Sequence, residues 1–174
     1  MDFFNKSEQS ILLNAENIIV GFSGGVDSTL VLTATNQFLD AHNKKNCLTA
    51  LHVNHQTQSD SSSWQKHCEK FCKEHNINFS CKSVEIKESG QGYEAAARSA
   101  RLDIFNAFDE ATVIILGHHL DDQVETVFFR VLRGTGLKGL TGMQRHLKIK
   151  DKDFIRPLLH LTKEEIYKQA TEYK

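Results

Sequence analysis

The stretch "IIVGFSGGVDS", residues 18–28, runs from an apolar segment into two glycines, an acid and a second serine. Its apolar start has the length of a buried strand, and the residues after it open a helix pattern. The glycines, Gly24 and Gly25, let the backbone turn sharply and bring its N–H groups within reach of an anion. A helix beginning at Asp27 offers further N–H groups and the positive end of its dipole. Ser23 and Ser28 add hydroxyls. The stretch therefore has the form of a phosphate-binding turn, yet it lacks the lysine that a Walker A loop, G-x-x-x-x-G-K-[ST], requires. Compensating charge must come from a metal ion or from arginines elsewhere. Asp27 suits Mg²⁺, which takes one or two carboxylates beside phosphate oxygens. The plainer alternative is that Asp27 caps the helix.

The same alternation continues on either side of this turn. Strands are expected at 17–23, 47–55, 78–86 and 112–119, with a short one around "FIRPLL" (154–159). Helices are expected at 27–42, 61–76, 93–111, 121–133 and over "TKEEIYKQATEYK" (162–174); the segment 134–142 is glycine-rich. Strand–helix alternation with continuous apolar strands predicts an α/β fold, a doubly wound, mainly parallel sheet with helices on both faces. Ligands in such sheets bind at the carboxyl ends of the strands, and the polar clusters of this chain fall at those ends.

With 174 residues, 40% of them hydrophobic and 25% charged, the chain fits one domain with a real core. Its longest apolar runs are too short to span a bilayer and its N-terminus has no apolar signal core, which predicts a cytoplasmic protein with no membrane partner. The net charge of −1 gives no global field for nucleic acid. Locally, residues 126–150 carry Arg130, Arg133, Lys138, Arg145, Lys148 and Lys150 without one acid. That segment is either a contact for a phosphate backbone or a solvated basic face. Cys68 and Cys72, one helical turn apart, suit a metal or redox pair, or simply the half-buried face of a helix. Cys47 and Cys81 fall in expected strands and read as core.

A second cluster lies in "LGHHLDDQVETVFFRVLRGTGLKGLTGM", residues 116–143. Asp121 and Asp122 open a helix, where the dipole favours them. Asp122 and Glu125 are three apart and share one face, an arrangement suited to an ammonium ligand or a metal. Capping and solvent exposure are the alternative. His118 and His119, at a strand end, either line a base pocket or are structural.

"SGGVDS" resembles the signature of the PP-loop, or N-type ATP pyrophosphatase, superfamily. The 116–143 stretch is similar to the pattern of tRNA(Ile)-lysidine synthetases, H-H-x-D-D-Q-x-E-T followed by R-G-x-G-x-x-G-L-x-G-M. "HVNH" (52–55), "YEAAARSAR" (93–101) and "RPLL" (156–159) fit the same family in order. The resemblance spans roughly residues 18 to 170. It implies a ligase that uses ATP and Mg²⁺ to join free L-lysine to the wobble cytidine of tRNA(Ile) with a CAU anticodon, and it allows a homodimer. It further implies that Ser23, Gly24, Gly25, Val26, Asp27 and Ser28 hold the β- and γ-phosphates, with Asp27 on the metal. Val53 would lie against adenine, and Arg98 would carry phosphate charge, its alternative being a helix pair with Glu94. Asp122 and Glu125 would receive the ammonium groups of lysine. Asp27, Arg98, Asp122 and Glu125 form the implied catalytic set. The nearest rival is a PP-loop tRNA thiolase; cluster-binding relatives of that sort show C-x-x-C, which this chain lacks. Residues 1–174 are expected to be the catalytic domain alone, without the further regions with which lysidine synthetases grip tRNA.

Overall fold

The computed structural model describes residues 3–54, 61–84, 103–105, 107–108, 112–134 and 141–172. Helix α1 (Lys6–Asn14) precedes β1 (Asn17–Gly21), α2 (Val26–Ala41) and β2 (Leu48–Asn54). Then come α3 (Ser61–Glu74), β3 (Asn78–Ser83), β4 (Thr112–Ile115) and α4 (Leu120–Leu132). A hairpin of β5 (His146–Ile149) and β6 (Lys152–Ile155) leads to α5 (Lys163–Glu172). The six strands form one sheet in the order β3-β2-β1-β4-β6-β5. All neighbours pair parallel except β5 with β6. This is the doubly wound, mainly parallel α/β sheet that the alternation predicts.

Burial on both faces follows from the apolar strands. Ile18 and Val20 of β1 join Leu48, Ala50, Val113, Ile115 and Ile155 in the larger core, which α1, α2, α3 and α5 cover with Leu12, Leu30, Leu39, Cys72 and Ile166. Ile19, Leu51, Ile114 and Phe154 point to the other face and pack with Phe105. Each fully buried leucine or isoleucine stabilises the fold by roughly 2 kcal/mol. In α2, buried Ser28, Val31, Leu32, Thr35 and Leu39 follow helical spacing, so one face lies on the sheet. Helix α4 differs: none of its residues is buried, and Val124, Phe128, Val131 and Leu132 are each more than half exposed.

Strand order fixes where a site can form. From β1 the chain runs outward through β2 and β3, then returns to β4 on the other side of β1. The β1 and β4 ends therefore diverge, leaving a crevice at this switch point.

Several expectations change in detail. Cys47 lies in a 3₁₀ turn (Lys45–Cys47) rather than a strand, and its thiol donates to Lys44 O at 2.9 Å. Cys81 is on β3, but both it and Cys47 are only half-buried, because β3 is an edge strand and the turn lies at the rim. Of the helix expected at 93–111, residues 103–105 are helical. The rest of that helix apart from 107–108, with Arg98, lies outside the described residues, as do residues 135–140 of the glycine-rich segment.

Candidate active site

The turn after β1 is held open by three features. Gly24 has φ of +83°, and a Cβ there would lie 2.8 Å from Cys68 Sγ and 3.2 Å from Trp64 Nε1. Both backbone and space thus demand glycine. From above, the Trp64 indole donates to Ser23 O at 2.5 Å. Below, the Ser28 hydroxyl donates to Gly25 O at 3.0 Å and accepts from Ser23 N at 3.2 Å. Ser23 Oγ lies 3.0 Å from it. As arranged, the serine hydroxyls brace the turn from within, and Ser28 is buried. Gly25 is the N-cap of α2 and no side chain caps that helix. Asp27 is its second residue, so the capping alternative for Asp27 does not hold. The first N–H groups of α2 thus carry no side-chain cap, and a helix end of that kind has the donors and dipole that suit an anion.

Across the crevice, the loop after β4 presses on the same helix end. A Cβ on Gly117 would come within 3.2 Å of Ser28 N, so this position tolerates no side chain without displacing α2. Between the two loops lies a cavity of about 270 Å³. Leu51, Val53 and Leu116 give it an apolar wall, while Ser23, Asp27 and His118 supply polar edges. Val53 stands on that apolar wall.

Two more helix starts meet here. His119 is the N-cap of α4: its Nδ1 accepts from Asp121 N at 3.3 Å, while Asp122 Oδ2 accepts from His119 N at 2.8 Å. With Nδ1 accepting, the neutral ring carries its proton on Nε2. That nitrogen lies 3.9 Å from Asp27 Oδ1 and 3.6 Å from Asp122 Oδ2. Leu120 N donates to Leu161 O at 2.9 Å, tying the start of α4 to the start of α5. Thr162 and Glu165 form a capping box for α5, and the hydrogen bonds from Thr162 hold the Glu165 carboxyl below the usual carboxylate range. Lys163, first residue of α5, reaches across to Asp27. Its Nζ donates to both carboxylate oxygens at 2.6 Å.

Beside the turn the structure thus places a cation that the sequence reading did not name, a lysine from the last helix. The oxygen pair that holds its ammonium is also the donor type a Mg²⁺ ion takes, so Asp27 fits that metal. Glu125 is exposed one turn further along α4. Asp122 and Asp27 are thus brought together through one imidazole, Glu125 is not joined to them by any hydrogen bond or ion pair among the described residues, and Arg98 lies outside those residues.

A family model described as a PP-loop domain matches residues 2–174. The chain belongs to the PP-loop domain family. A tRNA(Ile)-lysidine synthase of Francisella philomiragia is 37% identical over 161 residues, covering 91% of this chain and 39% of that protein. The enzyme of the same name from Legionella pneumophila strain Lens is 40% identical over 145 residues, covering 83% and 33%. That from Pseudomonas fluorescens is 36% identical over 167 residues, covering 92% and 36%. This chain spans only a third to two fifths of these relatives. Among solved structures, the U34-tRNA thiolase NcsA from Methanococcus maripaludis with its [4Fe-4S] cluster superposes with a TM-score of 0.68 at 21% identity. The match covers 98% of this chain and 61% of that one, a likeness of fold.

In this PP-loop domain the cysteines are packing. Cys68 and Cys72 are fully buried beneath the turn, and burial raises their thiols to about 11 and about 12. Among the described residues no cluster of three or more His, Cys, Asp or Glu could hold a metal ion. The basic segment is partly structural too. Arg145 binds the buried Glu8 carboxylate at 2.7 Å and the Phe3 and Pro157 carbonyls, and Arg130 donates to Gly142 O. Arg133, Lys148 and Lys150 remain exposed, and Lys138 lies outside the described residues. No helix among the described residues is long and apolar enough to cross a membrane.

Of the two readings offered for His119 the structure shows a structural one, the cap of α4; sequence reasoning missed the contacts of Lys163, Trp64 and Gly117. One signal was present for Lys163. A cation in the first turn of a helix opposes the dipole, so Lys163 favours a partner outside that helix even with Glu164 and Glu165 in the same turn.

Proposed function

We propose that residues 1–174 are the catalytic PP-loop domain of a tRNA(Ile)-lysidine synthetase. It would ligate L-lysine to the wobble cytidine of tRNA(Ile) bearing a CAU anticodon, with ATP as co-substrate. The observation that carries this reading is the meeting of Asp27 and Asp122 around His119. It brings the end of a phosphate-binding turn within one imidazole of an acidic pair suited to a dibasic amino acid.

ATP would lie across the carboxyl ends of β1 and β4, adenine against Val53 and the terminal phosphates on the N–H groups of Gly24–Ser28. With those phosphates fixed, the α-phosphorus is left open to the C2 oxygen of cytidine. The new O–P bond forms as the bond to the β-phosphate oxygen breaks and pyrophosphate departs. Holding the leaving group against a helix N-terminus stabilises charge as it develops there. An amine of lysine then attacks C2, the C2–O bond breaks, AMP leaves and the amine gives up a proton. Asp122 and Glu125 hold the other ammonium group of lysine. A Mg²⁺ ion on Asp27 would neutralise phosphate charge. Arg98 remains a proposed phosphate ligand, and a homodimer is the proposed assembly.

The test is incubation with tRNA(Ile), ATP and radiolabelled lysine. Lysine-dependent labelling of the RNA with stoichiometric AMP and pyrophosphate supports the assignment. D122N and E125Q should raise the lysine requirement about tenfold or more while ATP binding stays within about twofold. Sulfur transfer without lysine incorporation would instead assign a thiolase.

A further inference from the structure

Three helix N-termini, those of α2, α4 and α5, meet at the rim of the cavity, and Asp27 on α2, Asp121 and Asp122 on α4, and Glu164 and Glu165 on α5 answer their positive ends with negative charge. Lys163 is the cation the structure places against this group. It is more than a third exposed, its stem passes over the Tyr167 ring with Nζ 5.6 Å from the centroid, and its ammonium reaches the turn rather than solvent. A lysine at the first position of a helix works against that helix's own dipole, a cost that Glu164 and Glu165 of the same turn offset in part and a partner outside the helix offsets further. Asp27 is that partner, at the second position of α2 beside N–H groups that no side chain caps.

We infer that Lys163 is a polyphosphate-binding residue held in reserve. It pairs with Asp27 while the turn is empty and swings to the terminal phosphate oxygens when a polyphosphate occupies the α2 N-terminus. It thereby supplies, from the far end of the domain, the positive charge that "SGGVDS" lacks. This inference rests on reading the turn as a polyphosphate site. The move is short, because Asp27 and Ser28 line the same cavity and the lysine stem keeps its rotatable bonds. It also carries a cost that can be measured. In the empty site Asp27 competes with the ligand for the ammonium.

Pyrophosphate binding to the 174-residue chain in EDTA, read by calorimetry, tests this without any metal or turnover. K163M should weaken pyrophosphate binding about tenfold to a hundredfold, as expected for loss of a hydrogen bond to a charged group, and K163R should restore much of it. AMP, which lacks the terminal phosphates, should lose less than about twofold on the same scale. D27N should bind pyrophosphate more tightly than the wild type, since it frees the lysine, and D27N/K163M should lose that gain. K163M relieves the dipole of α5 but leaves Asp27 without its ammonium partner, so thermal unfolding of each variant accompanies the titrations, and K163R and the AMP control separate a binding loss from a folding loss. Unchanged or tighter binding in K163M, or a D27N gain that survives in the double variant, overturns the inference while leaving the turn a polyphosphate site. A wild-type chain that binds no pyrophosphate overturns the reading of the turn itself.

Discussion

Asp27 and Asp122 face the same nitrogen. His119 Nε2 lies 3.9 Å from one carboxylate and 3.6 Å from the other, so the turn after β1 and the helix after β4 are joined through a single ring. The ring has two separable tasks: it caps α4 through Nδ1, and it separates two negative charges through Nε2. H119A removes both tasks, and loss of the cap should cost about 1 kcal/mol in urea unfolding. H119N keeps a capping side chain and should unfold within a few tenths of a kcal/mol of wild type. Both variants should lose lysine ligation, which separates the charge role from the cap. A fully active H119N would assign the histidine to the cap alone.

Gly24 is constrained twice, by φ of +83° and by the 2.8 Å approach to Cys68 Sγ. G24A should destabilise the domain by about 2–4 kcal/mol, combining left-handed strain with overpacking. Relieving the contact through G24A/C68A should recover part of the stability but not nucleotide binding, since the turn stays distorted. Calorimetry with ATP beside urea unfolding reads both.

Arg145 holds a buried carboxylate: Glu8 is 1% exposed and accepts from Arg145 Nε at 2.7 Å. R145A leaves that charge without its partner and should cost about 2–4 kcal/mol, the lower end reflecting water that already reaches Arg145. E8Q/R145M should lose less than R145A alone. A surface arginine used only for RNA would show no such coupling, so equal losses would contradict this assignment.

Buried thiols set a pH dependence. In the folded state Cys68 and Cys72 keep their protons up to about 11 and about 12, against an ordinary value of 9.0. Between those limits the unfolded chain releases protons that the native chain retains. Stability is therefore full below about pH 9 and falls as pH rises. C68A/C72A should flatten that fall. In native protein at neutral pH, a thiol reagent should modify half-buried Cys47 and Cys81 well before the other two.

Much of this was legible in the sequence. "IIVGF" and "TVIIL" marked β1 and β4 as central strands because both faces had to be covered, and Gly24 and Gly25 marked the turn at the carboxyl end of β1. Helix α1 and β5 were not legible. The β5 edge strand, "HLKI", is short and largely exposed, and its two-residue turn, Lys150–Asp151, lacks the glycine that announces a hairpin. Lys150 takes φ of +54° there without one. The Lys163–Asp27 pair was hidden for another reason. It joins residues 136 apart, and only the meeting of α2 and α5 at the switch point brings them together.

The central claim, that residues 23–28 grip the terminal phosphates of ATP, is tested most directly by following backbone amide resonances as pyrophosphate is added. The account predicts saturable shifts concentrated at Gly24–Ser28 and Gly117, with ATP displacing pyrophosphate and D27N altering the response. Shifts confined to the exposed Lys148 and Lys150 hairpin, with the Gly24–Ser28 amides unmoved at saturation, would contradict it.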